Sequence, residues 1–209
     1  LSCFLGQQSN RLIIQDYIIY PSGCSIPISN TRIKNKSFKR MSVNEQGITL
    51  DRYMVIPRTL IFLTRTEHVL LIKGAPHKRL WANRYNGFGG HLEPGEDVRA
   101  AAHRELLEET GLTSPDLRLC GTIVIATGQN PGILLFVFTG TCPDGEPRPS
   151  AEGEPVWVAV SDLPTLPLVE DLPALLPRVL AHPPCAPPFA GRYGYDEGGR
   201  LRWAFGGEA

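Results

Sequence analysis

The chain has no long apolar run, no paired cysteines and no surplus of either charge. Each absence removes a class of function. Its longest apolar stretch, Ile133–Phe138 (ILLFVF), falls far short of the ~20 residues that cross a bilayer. No membrane partner is expected, and the stretch suits a buried strand. The first twenty residues carry no basic segment ahead of an apolar core, so no secretory signal is expected. Five cysteines (Cys3, Cys24, Cys120, Cys142, Cys185) are scattered without a CxxC pair. That spacing argues against a zinc ribbon and a disulfide framework, and predicts free thiols in a reducing cytoplasm. Lys plus Arg and Asp plus Glu both total 21. Stable nucleic-acid binding needs a basic surplus, so none is expected.

What is present is enough for one ordinary domain and some extra chain: 209 residues, 42% of them hydrophobic. Composition shifts near residue 40, from a segment rich in Ile, Ser and Asn to one favouring Ala, Leu, Pro, Gly and Arg. Residues 1–40 are therefore expected to be an extension outside the catalytic domain or translated upstream sequence, with Met41 or Met54 the natural start. Residues 41–209 form the domain in that reading. The alternative is a genuine N-terminal strand pair, since LIIQDYIIY has strand-like composition.

From Met54 onward, apolar alternation predicts strands at 55–64 and 68–73, joined by a polar turn. A helix is predicted over 97–110, with Gly111 as its C-terminal cap. Strands follow at 117–127 and 132–140 as a hairpin, and at 154–160. A proline-bearing helix comes next, then a strand pair turning at 196–199. Strands and helices are mixed rather than strictly alternating, which indicates an α/β or α+β sheet packed with helices.

The segment GGHLEPGEDVRAAAHRELLEETGL, residues 89–112, carries the chemistry. At ~100° per residue, Glu105, Glu108 and Glu109 share one face of the helix, about 100° wide. Like charges at helical spacing repel. The cluster is therefore either a solvated face or a site for a cation that offsets it. Oxygen donors select hard Mg²⁺ or Mn²⁺. Arg104 can hold a carboxylate in one rotamer by a bidentate bond.

The full spacing is Gly90, five residues, Glu96, seven residues, Arg104-Glu105-Leu106, one residue, Glu108-Glu109, one residue, Gly111-Leu112. This resembles the signature of the Nudix hydrolases. The resemblance implies an αβα sandwich with a mixed β-sheet, and metal-dependent hydrolysis of a nucleoside diphosphate linked to another group. By position it implies Gly90 (through its carbonyl), Glu105, Glu108 and Glu109 as metal ligands. It implies Arg104 with Glu96 as organisers of the helix, and Glu105 or Glu109 as general base.

Asn86-Gly87-Phe88-Gly89-Gly90 is similar to a stretch of MutT-type 8-oxo-dGTP diphosphatases, in which the asparagine bonds the base and the phenylalanine helps line the pocket. In the same resemblance Glu152 is a further metal-binding acid, with Glu154 the alternative, and Glu170-Asp171 reads the purine edge. Val169 replaces a tryptophan found there in the animal enzymes, so stacking would fall to Trp81 or Tyr85. Each of these residues has a plainer role open to it. Asn86 could make a turn, Trp157 could be core, and Glu170-Asp171 could cap a helix. The expected reaction releases a nucleoside monophosphate and pyrophosphate from an oxidised purine triphosphate. ADP-ribose hydrolysis and a non-catalytic nucleotide sensor are the alternatives.

Overall fold

The computed structural model describes residues 12–14, 17–19, 25–27, 47, 49, 51–142 and 145–206. It divides into two compact units. One comprises Leu1–Thr49 with Pro183–Cys185. It holds a three-stranded antiparallel sheet of β1 (Leu12–Ile14), β2 (Tyr17–Ile19) and β3 (Ser25–Pro27). The strand-like LIIQDYIIY thus supplies β1 and β2. Cys185 is disulfide-bonded, which corrects the expectation of free thiols. A disulfide needs nearness in space, and spacing along the chain does not report it.

The second unit comprises Leu50–His182 with Ala186–Ala209. In chain order its elements are β4 (Val55–Arg65), β5 (His68–Gly74), β6 (Tyr85–Asn86), α1 (Val98–Thr110), β7 (Arg118–Ile125), β8 (Gly132–Thr141), β9 (Gly153–Ala159), α2 (Leu172–Ala181), β10 (Phe189–Tyr195) and β11 (Leu201–Phe205). The strands form one sheet in the order β11-β10-β7-β8-β4-β5-β6, with β9 also paired to β5. β4 runs parallel to β8, and β10 parallel to β7. The remaining pairings are antiparallel, so the sheet is mixed as expected.

β4 is central, with Leu60, Ile61, Phe62 and Leu63 all buried, as a strand covered on both faces requires. Successive side chains point to opposite faces. Leu60 and Phe62 join a core cluster with Leu172, Leu175, Leu176 and Val179 of α2, together with Tyr193 and Phe205. Ile61 and Leu63 join a second cluster with Ala102 and Leu106 of α1. The helices therefore cover opposite faces. Trp157 packs against the second cluster with the Arg65 guanidinium 4.3 Å from its ring centroid, which is the role of a core residue.

Candidate active site

α1 begins where Asp97 caps it: one carboxylate oxygen accepts from the Arg99 and Ala100 N–H groups, both at 2.9 Å. It ends at Gly111, in the left-handed region at φ 72°, whose N–H donates to the Leu107 carbonyl at 2.8 Å. Local sequence accounts for both ends. Between them Ala101, Ala102, Leu106 and Thr110 face the sheet, which turns the glutamates to the flank.

The loop before α1 meets that flank. Gly89 has φ 130°, and a Cβ there would lie 2.3 Å from the Thr59 carbonyl oxygen. At Gly90 a Cβ would lie 2.5 Å from Glu105 Oε1. At Gly89 only glycine permits both the backbone conformation and the approach to the β4 backbone, and at Gly90 a side chain would displace the Glu105 carboxylate. The Gly89 N–H donates to Glu109 Oε2 at 2.9 Å. The Gly90 carbonyl accepts from the Thr59 N–H at 2.8 Å and keeps a second lone pair. Thr59 Oγ1 in turn accepts from the Gly90 N–H at 3.3 Å. β4 thus clasps the loop against α1.

Arg104 organises the carboxylates. Its Nε and Nη2 donate to the two oxygens of Glu96 at 3.1 and 2.6 Å, the bidentate geometry that specifies orientation. Nη1 donates to Glu105 at 2.8 Å and to Glu108 at 3.2 Å, and Nη2 also donates to the His91 carbonyl at 3.1 Å. The Arg104 hydrogen bond is the main reason the Glu96 carboxyl is held below the usual carboxylate range.

Glu109 is the half-buried member of the cluster. Burial, with the charges of Glu105 and Glu152 nearby, pushes its carboxyl up to about 7, against the Gly89 hydrogen bond and the Lys78 charge. Glu108 is different, with a side chain 59% exposed. The three glutamates share a face, but only Glu105 and Glu109 turn to the Gly89-Gly90 loop.

Glu152 reaches this group from the turn before β9, forming an ion pair with Lys78 and bearing on Glu109. Its backbone carbonyl accepts from the Ala75 N–H at 3.1 Å. Glu154 lies on β9 opposite Lys73 and is not among the charges bearing on Glu109. Lys78 carries no signal in the sequence, since it sits in an irregular loop far from the motif.

These residues suit a divalent cation by their chemistry. Every donor is an oxygen, and crowding of Glu105, Glu109 and Glu152 leaves negative charge that a hard cation would offset. Among the described residues no three acidic, histidine or cysteine side chains stand as a ready-made cluster. Arg104 draws Glu105 and Glu108 to itself, and Lys78 draws Glu152.

The residues expected at the base are divided between the two faces. Phe88 is fully buried with Ala102 and Leu106 on the α1 side. The resemblance had implied a place for it in the pocket lining. Its neighbour Gly87 is the one that faces Leu60 and Phe62 on the other side, and strand alternation separates the two. Asn86 Oδ1 accepts from the Gly87 N–H at 2.8 Å, the local turn bond open to it. β6 also runs beside the segment leading into Glu170: the Val169 N–H donates to the Tyr85 carbonyl at 3.0 Å.

Asp171 occupies the N-cap position of α2, but its side chain makes no capping bond among the described residues. Burial raises its carboxyl, and the Glu170 charge adds to this. Glu170 accepts from the Tyr195 hydroxyl at 2.5 Å. Of the substitutes for the absent tryptophan, Trp81 is exposed in a loop at φ 60°, and Tyr85 packs against the α2-side core. Tyr193 and Tyr195, both beside Glu170-Asp171, escape sequence reasoning because the strand holding them lies far along the chain.

The chain matches the NUDIX domain over residues 54–179. It is 36% identical over 107 residues to an oxidized purine nucleoside triphosphate hydrolase of Danio rerio, covering 51% of this chain and 67% of that one. It is 30% identical over 115 residues to a NAD-capped RNA hydrolase NudC of Pseudomonas syringae pv. syringae, covering 54% of this chain and 39% of that one. The structure of a MutT protein from Bacillus halodurans superimposes with a TM-score of 0.58 at 23% identity, covering 74% of this chain and all of that one. The last is a likeness of fold.

Proposed function

The chain belongs to the Nudix hydrolases, and from that premise we propose that it hydrolyses an oxidised purine nucleoside triphosphate to the monophosphate and pyrophosphate. The observation that carries the reaction type is the half-buried Glu109, held at the Gly89-Gly90 loop beside Glu105. The purine reading is supported by Asp171, a half-buried carboxyl that does not cap its helix, and by the likeness to the Danio rerio hydrolase.

Gly90 through its carbonyl, with Glu105, Glu108, Glu109 and Glu152, would hold Mg²⁺, or Mn²⁺ in its place. Such an ion, when bound, neutralises phosphate charge and makes water more acidic. The protein's own part is placement and proton transfer. Water adds to a phosphorus of the triphosphate, the bridging P–O bond breaks, and pyrophosphate leaves. The proton passes to Glu109 or Glu105, the carboxylates held at the Gly89-Gly90 loop. Arg104 keeps Glu105 aligned by anchoring on Glu96. Lys78 adds positive charge beside the acids, where polyphosphate would lie. Asn86, Glu170 and Asp171 meet the base.

The test is product analysis after incubation with Mg²⁺ and a panel of 8-oxo-dGTP, dGTP, dATP, ADP-ribose and a dinucleoside polyphosphate. Fastest release of monophosphate and pyrophosphate from 8-oxo-dGTP is the expected result. Preference for ADP-ribose would keep the Glu105–Glu109 site and reject the base reading. Binding of nucleotides without turnover would make the protein a sensor.

A further inference from the structure

β4 carries a charge that the reaction above does not use. Arg58 alternates with Leu60 and Phe62 along the strand, so its side chain leaves the sheet on the α2 face. The unbroken register of β4 against β8 puts Leu135 opposite it on that face. Arg58 is half-buried and forms no hydrogen bond or ion pair among the described residues. Its Nε is sealed from solvent, while its two Nη atoms are not. A guanidinium stays charged, and a charge that is partly desolvated and unpaired is costly. An anion at the open Nη end, where the donors form a fixed fork, offsets that cost. The carboxylates on this side are engaged elsewhere: Glu170 is tied to Tyr195, and the charge bearing on Asp171 is that of Glu170.

The loop before α1 brings a second polar group. His91 is bridged to Arg58 in antiparallel fashion. The Thr59 N–H donates to the Gly90 carbonyl at 2.8 Å and the Leu92 N–H to the Pro57 carbonyl at 3.4 Å, so these bonds flank the Arg58–His91 pair. Side chains of such a pair share a face and stand closest, with Cα atoms about 4.5 Å apart. His91 is exposed, and its ring offers an N–H in either neutral tautomer. Arg58 and His91 are thus the polar side chains of the α2 face beside Gly90 in the ladder, and Glu105 approaches Gly90 from the other face.

We propose that Arg58, with His91 beside it, forms a phosphate-binding site on the α2 face, and that it takes the phosphate next to the sugar of the nucleotide. The inference rests on the nucleotide-hydrolase reading above and deepens it. A nucleotide with its polyphosphate at Glu105–Glu109 and its base at Glu170-Asp171 passes from one face of the sheet to the other. The group between those ends is the sugar with its phosphate, and it carries the anion that the unpaired guanidinium lacks. Arg58 then supplies positive charge from the face opposite the glutamates.

The experiment titrates deoxyguanosine and its 5′-monophosphate into the protein in a chelator, by calorimetry, and repeats both with R58L and R58K. Without metal the glutamates repel phosphate, so any gain from the phosphate comes from cationic groups. The unaltered protein is expected to bind the monophosphate about 10-fold more tightly than the nucleoside, the effect of one charge-assisted hydrogen bond. R58L is expected to lose that gain and to bind the two ligands alike. R58K keeps part of it, since the charge stays and the fork goes. Tm separates binding from a structural role: leucine in place of an unpaired, half-buried charge leaves Tm at or above the starting value, whereas loss of a structural contact lowers it. An R58L protein that keeps the phosphate gain, or an unaltered protein that shows none, would overturn the inference and leave Mg²⁺-dependent triphosphate hydrolysis untouched. An unaltered protein that shows no phosphate gain and releases no pyrophosphate from any purine triphosphate would overturn both.

Discussion

α1 and α2 cover opposite faces of one sheet, and they are held there by different means. α1 buries two alanines, one leucine and a threonine. Its place depends on the Asp97 cap, the Gly111 terminus and the Arg104 ion pairs. α2 buries Leu172, Leu175, Leu176 and Val179 and has no side-chain cap among the described residues. The helix that carries the glutamates is thus fixed through polar contacts that also orient them. The helix fixed by apolar packing leaves the acids at its start available for other partners. Small residues let α1 approach the sheet closely, which brings Glu105 within reach of Gly90.

Breaking the α1 side at its half-buried carboxylate has the largest expected effect. Glu109→Gln lowers kcat/KM by about 10²- to 10⁴-fold, the usual contribution of a positioned proton acceptor. The same variant has a second signature in the metal-free protein. The Glu109 carboxyl titrates near 7 in the folded chain and near ~4.3 when unfolded, so the folded state binds more protons between those values. Its contribution to stability therefore falls as pH rises from about 4.5 to about 7. Tm recorded from pH 5 to 8 in a chelator is expected to lose part of this downward slope in Glu109→Gln.

Breaking the α2 side acts on stability instead. Leu176→Ala is expected to cost about 2–5 kcal/mol in a denaturant titration, as a buried leucine truncation does, with kcat per folded molecule within about twofold of normal.

A smaller effect sharpens the contrast within α1. Glu96→Gln weakens the bidentate anchor of Arg104 without touching Glu105 or Glu109. About a tenfold fall in kcat is expected from misplacement alone, read by steady-state kinetics at saturating substrate.

The smallest effect compares the two helix starts directly. Asp97→Ala removes a cap and costs about 1 kcal/mol. Asp171→Ala removes none and is not expected to show that loss in the same titration. Equal losses at both positions would show that Asp171 is a cap after all.

The fold was legible wherever its signal is local. Strand alternation marked β4, β5 and the β7–β8 hairpin, and helical spacing ending at Gly111 marked α1, because 3.6- and 2-residue periods are properties of neighbouring residues. The pairing of Arg104 with Glu96 was implied by the resemblance; the residues alone indicated only that Arg104 could hold some carboxylate. Phe88 was assigned by resemblance, and its direction could not be counted from its neighbours; its bridge to Ile61 of β4 sets where the side chain goes. The disulfide at Cys185 left no trace in spacing.

The sequence by itself determined the glutamate face, its Gly111 terminus and the glycines that let a loop approach it, because each depends on residues within a few turns. Tertiary structure decided which charges meet. Lys78 reaches Glu152 across 74 positions, and Tyr195 reaches Glu170 across 25. Nothing in chain spacing selects those partners. The order of strands in the sheet brings them together, and the electrostatics of the site follow from that order.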